Sequence, residues 1–149
     1  MRALWLLLLL LLVGCPSSAS APQAAEVRTG ERYRFEQRAV AGAEQVLEVL
    51  EVSASEVRYR VRNRVAGEAR GEALELSFPL PGPRLEAGEA LVLKLAGRAI
   101  TCRRHQHAGL RVDTAVNGDR VVFPGVVQVL DEGVVQLRLV AVEPASAAD

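Results

Sequence analysis

Aromatic side chains are scarce in this 149-residue chain: Trp5, Tyr33, Phe35, Tyr59, Phe78 and Phe123 make up 4% of it. Trp5 falls in the amino-terminal leader, so the body has no tryptophan and lacks the stacking platforms that sugar and base recognition use. A surplus of either charge is also missing. Eighteen basic residues face 18 acidic ones, which argues against nucleic acid as a partner, because phosphate neutralisation needs an uncompensated basic surface. Catalytic signatures are lacking as well: there is no Gly-x-Ser-x-Gly elbow, no phosphate loop and no His-Glu-x-x-His. Carboxylates are plentiful, but a glycosidase pair needs a cleft that aromatics usually line. No residue is therefore assigned to catalysis, to a cofactor or to a metal, and the chain reads as a non-enzyme.

Long apolar runs occur in one place only. Arg2 supplies a positive start, and Ala3 to Val13 form an unbroken stretch of eleven apolar residues ending at Gly14. As a helix this run spans about 16 Å, roughly half of the ~30 Å hydrocarbon core, which favours an export signal over a transmembrane anchor. The residues that follow, Leu12-Val13-Gly14-Cys15, fit the lipobox pattern of aliphatic, aliphatic or small, small, then cysteine. In this motif the chain resembles a bacterial lipoprotein precursor. The resemblance implies cleavage before Cys15, acylation at that cysteine and anchorage to a membrane of the cell envelope. Each buried CH₂ adds ~0.8 kcal/mol of membrane affinity, so two or three acyl chains hold a soluble domain almost permanently. Pro16 stands where that family's inner-membrane retention signal places Asp, which points to the outer membrane, facing the periplasm. The plainer alternative is an ordinary secretory signal with a chance cysteine.

Residues 16–25 are Pro, Ser, Ala and Gln, without charge or large apolar groups. Such a segment cannot bury enough surface to offset its ordering entropy, and it reads as a flexible tether with a reach of about 15 to 20 Å. The expected organisation is a signal peptide over 1–14, a lipidated Cys15 with its tether over 15–25, a β domain over 26–143 and a frayed tail over 144–149. Removing the signal peptide takes away Arg2 alone among the charges, leaving 17 basic and 18 acidic residues. Lys94 is the sole lysine.

The body alternates with a period of two. Val57, Tyr59, Val61 and Val65 interleave with Arg58, Arg60, Arg62 and Arg64, which predicts a strand with one apolar and one arginine-lined face. Val46 to Val52 precedes it as the other arm of an antiparallel hairpin turning through Ser53 to Glu56, with Leu47 and Val49 on the side of Tyr59 and Val61. Glu48 then falls near Arg60 and Arg62. That arginine ladder is either an anion site or, more simply, a solvated sheet face laced by cross-strand pairs. Further strands are predicted in Glu31 to Arg38, Glu72 to Phe78, Ala90 to Ala96, Leu110 to Thr114, Val121 to Phe123, Val126 to Leu130 and Val134 to Val142. Asn117-Gly118 and Asp131-Glu132-Gly133 signal hairpin turns. Pro79, Pro81, Gly82 and Pro83 mark a longer loop. Ala39 to Gln45 is expected to form one helical turn. About eight or nine strands with no helical period predict an all-β fold, either an antiparallel sandwich or a small incomplete barrel.

With Cys15 assigned to the lipid, Cys102 is a free-thiol candidate, and parity with Ile100 makes it a core residue. Both histidines lie close by in Cys102-Arg103-Arg104-His105-Gln106-His107. On a regular strand His105 and His107 point away from Cys102, so the three cannot share a metal ion, and a further ligand such as Asp113 would be needed. The expected role is a non-enzymatic binding or structural module, partnered by the membrane through Cys15 and by an envelope protein. The alternative is a carrier of apolar ligands, similar in architecture to the lipoprotein-localisation factors, with a cavity lined by Val49, Tyr59, Val61, Leu91 and Leu93.

Overall fold

The computed structural model describes residues 26–145, so Cys15 and the predicted signal peptide and tether lie outside the described residues. Nine strands make one sheet: β1 (Arg32–Gln37), β2 (Ala43–Val52), β3 (Glu56–Val65), β4 (Glu68–Pro79), β5 (Glu89–Leu95), β6 (Arg98–His107), β7 (Leu110–Asn117), β8 (Arg120–Asp131) and β9 (Val134–Glu143). Their spatial order is β4-β3-β2-β1-β9-β8-β7-β6-β5, and every pairing is antiparallel. No helix occurs among the described residues. The β1–β9 pairing joins the two halves of this meander. β4 and β5 remain as edges, so the sheet is not closed into a barrel.

The strongest alternation in the sequence forms the β2–β3 hairpin. Leu47 pairs with Val61 and Val49 with Tyr59, the register expected from parity. The arginines of β3 line the outer face, where Arg58 meets Glu51 at 2.9 Å and Arg60 meets Glu75 at 3.0 Å. Glu48 lies across from Arg60 in register, but the ion pairs run to Glu51 and Glu75. These charges are largely solvated, so each pair contributes at most about 1 kcal/mol. The ladder behaves as an exposed sheet face.

Four hairpins close through two-residue turns with both residues at positive φ: Ala66-Gly67, Ala96-Gly97, Ala108-Gly109 and Glu132-Gly133. Such turns match the right-handed twist of the flanking strands. Two expectations need correction. Residues 38–42 form bends and a turn, and β2 starts at Ala43, so there is no helical turn over Ala39 to Gln45. The small Ala and Gly residues there carry no helical apolar stripe, and the chain reverses direction instead. The predicted segments Val121 to Phe123 and Val126 to Leu130 are one strand, β8, which passes through Pro124-Gly125. Its pairing with β7 shifts register on either side of Thr114, so Pro124-Gly125 sits at an irregularity of the ladder rather than at its end.

The sheet curls until distant strands touch. Phe123 of β8 packs edge to face on Tyr33 of β1 at 5.0 Å, Tyr59 of β3 at 5.1 Å and Phe78 of β4 at 5.8 Å. In the sheet, three strands separate β8 from β3, and the contact exists only because the two halves face each other. Each aromatic contact of this kind adds about 0.5–1.5 kcal/mol beyond its area. Phe35, Leu47, Val49, Val57, Leu95, Cys102, Ala115, Val127 and Leu139 complete the core. Residues 80–88 connect the two edges. This segment crosses the β7–β8 hairpin, where Val121 N–H donates to the Pro83 carbonyl at 2.8 Å. Gly82 is required at that crossing, because a Cβ would run into the Val121 carbonyl.

Candidate functional site

The curled sheet has two chemically different ends. At the end where β6 finishes and β7 begins, the interior is polar. Asp113 is fully buried and accepts two hydrogen bonds from Arg104, Nε at 2.8 Å and Nη2 at 3.0 Å, and a third from Gln128 Nε2 at 2.9 Å. Arg104 lies directly across from Asp113 in register, so the bidentate pair follows from strand pairing alone. The bond to Asp113 raises the Arg104 pKa above its ordinary value and fixes the guanidinium as a cation. This network plugs one end.

Cys102 occupies the middle layer. It is fully buried, and its Sγ lies 3.5 Å from the Ile100 carbonyl. Burial first, and then the charge of Asp113, push its thiol up to about 12, while Arg104 opposes them. The thiol is therefore protonated and shielded at neutral pH, a small apolar core group rather than a nucleophile. His105 points to the other face, where its Nε2 lies 3.1 Å from Thr114 Oγ1, and His107 is exposed. Asp113, the further ligand the metal reading needs, is committed to Arg104 and Gln128 on the inside. Among the described residues no three His, Cys, Asp or Glu side chains gather as a metal shell.

The opposite end is apolar and open. Here β1 and β8 begin and β9 ends, and a cavity of about 270 Å³ lies between them and the first residues of β6. Phe123, Val127, Leu139 and Ala115 line its depth, and Ile100 and Val142 its flanks. The reason for the space is side-chain size: Ala115, across from Cys102 on the inner face, stands where a larger inward group would fill the curl. None of Val49, Tyr59, Val61, Leu91 and Leu93, the lining expected from sequence parity, borders this cavity. Val49 is itself in the core and the other four pack against it.

Polar groups stand at the rim. Tyr33 O–H donates to Glu31 Oε2 at 3.1 Å, and Glu31 Oε1 accepts from the Arg28 N–H at 2.9 Å. Burial and the Glu31 carboxylate raise the Tyr33 pKa above its ordinary value, so the phenol stays a neutral donor. Arg98 is exposed at the same rim and has no carboxylate within 4.0 Å among the described residues. It also borders a more polar depression formed by Glu26, Arg28, Thr29, Glu31, Pro144 and Ala145. Residues 26–31, which lead into β1, thus meet the chain's last described residues beside the cavity mouth. Sequence reading missed Arg98 and the Glu31–Tyr33 pair. The only signal was their place at strand starts, since nothing in a period-two pattern marks a rim.

No protein-family model, curated protein or solved structure matches this chain. No helix among the described residues is long and apolar enough to cross a membrane.

Proposed function

We propose that the chain is a lipid-anchored, non-enzymatic binding module of the bacterial cell envelope, acylated at Cys15 and holding a small apolar ligand in its curled sheet. One observation carries this reading: the apolar cavity opens beside residues 26–31, the stretch that leads back toward Cys15. An anchor joined through that stretch keeps the mouth within the tether's reach of the membrane from which an apolar ligand comes. At about 270 Å³ the cavity falls just short of the ~300–1,000 Å³ typical of drug-sized small-molecule sites, and its lining is mostly apolar with a few polar groups at the rim. Pro16 in place of Asp supports an outer-membrane location facing the periplasm.

Two measurements test it. Intact mass of the membrane-extracted protein should begin at Cys15 plus acyl chains, and Cys15→Ser should abolish that species; an unacylated soluble product from the unmodified chain contradicts the anchor. Saturable binding of an alkyl ligand by the chain from residue 15 should be lost when the cavity is filled by Val142→Trp, at an inward position across from Tyr33. A second reading, a docking module for an envelope protein, draws on β4, a twelve-residue edge strand exposing Leu74 (60%) and Leu76 (46%). Unpaired edges of this kind accept added strands. Charges introduced at Leu74 and Leu76 should then abolish partner capture and leave ligand binding intact.

A further inference from the structure

We infer that the ligand of the cavity is a single-chain amphiphile with an anionic head group, its tail under Phe123 and Val127 and its head on Arg98. The inference rests on the cavity being the binding site, as proposed above. The depth is apolar, and the only cation on its lining is Arg98. That guanidinium sits where cavity and polar depression meet, and no carboxylate within 4.0 Å neutralises it among the described residues. Of the nearby acids, Glu31 accepts from Tyr33 and the Arg28 amide, and Glu26 lines the same depression without an ion pair to Arg98. A carboxylate or phosphate at the mouth therefore finds one open cation, and its chain finds only hydrocarbon below. Size sets the number of tails. At about 30 Å³ per methylene, 270 Å³ holds roughly nine chain carbons, enough for one tail.

The test uses the mature chain from residue 15 with Cys15→Ser, titrated with hexanoate, octanoate, decanoate, decyl phosphate and decanol below their micelle concentrations. Affinity should rise about fourfold per added methylene up to roughly ten carbons and then level off. Decanoate and decyl phosphate should both bind more tightly than decanol. Arg98→Ala, at an exposed position, should weaken both anions about fivefold and leave decanol unchanged. A loss confined to one of them identifies the head group as carboxylate or phosphate. Val142→Trp, on the cavity flank, should remove all three ligands while the chain stays folded by circular dichroism. Equal binding of decanol and decanoate, insensitive to Arg98→Ala but lost in Val142→Trp, overturns the anionic head and keeps the cavity. Absence of saturable binding by every ligand, or binding indifferent to Val142→Trp, overturns the cavity as the site.

Discussion

Asp113→Ala should be among the most damaging single substitutions in the domain. Asp113 has no solvent exposure, and its carboxylate takes three short hydrogen bonds, two from Arg104 and one from Gln128. Alanine leaves a guanidinium and an amide facing a small void. Breaking a buried ion pair costs about 3–5 kcal/mol because the partner charge is stranded. The Arg104 side chain keeps 29% of its exposure and can recover some hydration, which places the expected loss near the lower bound, about 3 kcal/mol. The stability of a domain this size is about 5–15 kcal/mol, so this is a large fraction of the total. For the 120 described residues it corresponds to a fall of roughly 12 °C in melting temperature. Urea unfolding of the chain from residue 15, followed by circular dichroism, reads it directly, since Trp5 is the one tryptophan and fluorescence has no reporter there. Replacing all three polar groups with apolar ones, Asp113→Leu with Arg104→Met and Gln128→Leu, should restore most of the loss, because no charge is then stranded. A loss below ~1 kcal/mol for Asp113→Ala would refute the buried network.

The aromatic centre should be nearly as sensitive. Phe123→Ala removes the ring on which Tyr33, Tyr59 and Phe78 converge and should cost about 3–5 kcal/mol in the same unfolding assay, whereas Leu74→Glu on the open edge should stay within ~0.5 kcal/mol. With Cys15 replaced by Ser, Cys102 is the sole thiol and should resist a maleimide at pH 8 until denaturant is added; labelling of the native protein contradicts its burial. Its folded pKa, raised from 9.0 to about 12, means the native state holds its proton longer than the unfolded one. This contribution is fully present below pH 9 and is lost as pH rises toward 12, so Cys102→Ala should flatten part of that alkaline decline. At the tight turns, Ala96 and Ala108 hold φ of 53° and 50°, where asparagine is favoured. Ala96→Asn with Ala108→Asn should raise stability by about 1 kcal/mol, and an unchanged urea midpoint would count against the turn geometry.

The parts of the fold that were legible are those where neighbouring residues differ in polarity. In β3, valine or tyrosine alternates with arginine so regularly that strand, inward face and register with β2 all follow. The β8 strand was read as two because Pro124-Gly125 carries the composition of a break, and only the pairing with β7 reveals an irregular continuation. Three turns were obscured by alanine, which lacks the polar side chain that makes Asn-Gly conspicuous and still adopts positive φ before glycine. The cavity lies beyond a parity argument altogether. Alternation says that Val49 and Ala115 both face inward, but which of them meets a neighbour and which a gap depends on how far the sheet curls. That curl is set by contacts such as Phe123 on Tyr59, between strands far apart in the chain. Cys102 shows the favourable case, because sharing a face with Ile100 was enough to place it in the core.

The central claim, that the curled sheet binds a chain-like ligand at its apolar end, is tested most directly by methyl-detected NMR of the mature chain with decanoate. Intermolecular contacts from the alkyl tail should appear at the methyls of Ala115, Val127 and Leu139, with shifts at Arg98 and none at Leu74 or Leu76. Contacts confined to Leu74 and Leu76 on the β4 edge, or none anywhere at saturating decanoate, would contradict the account.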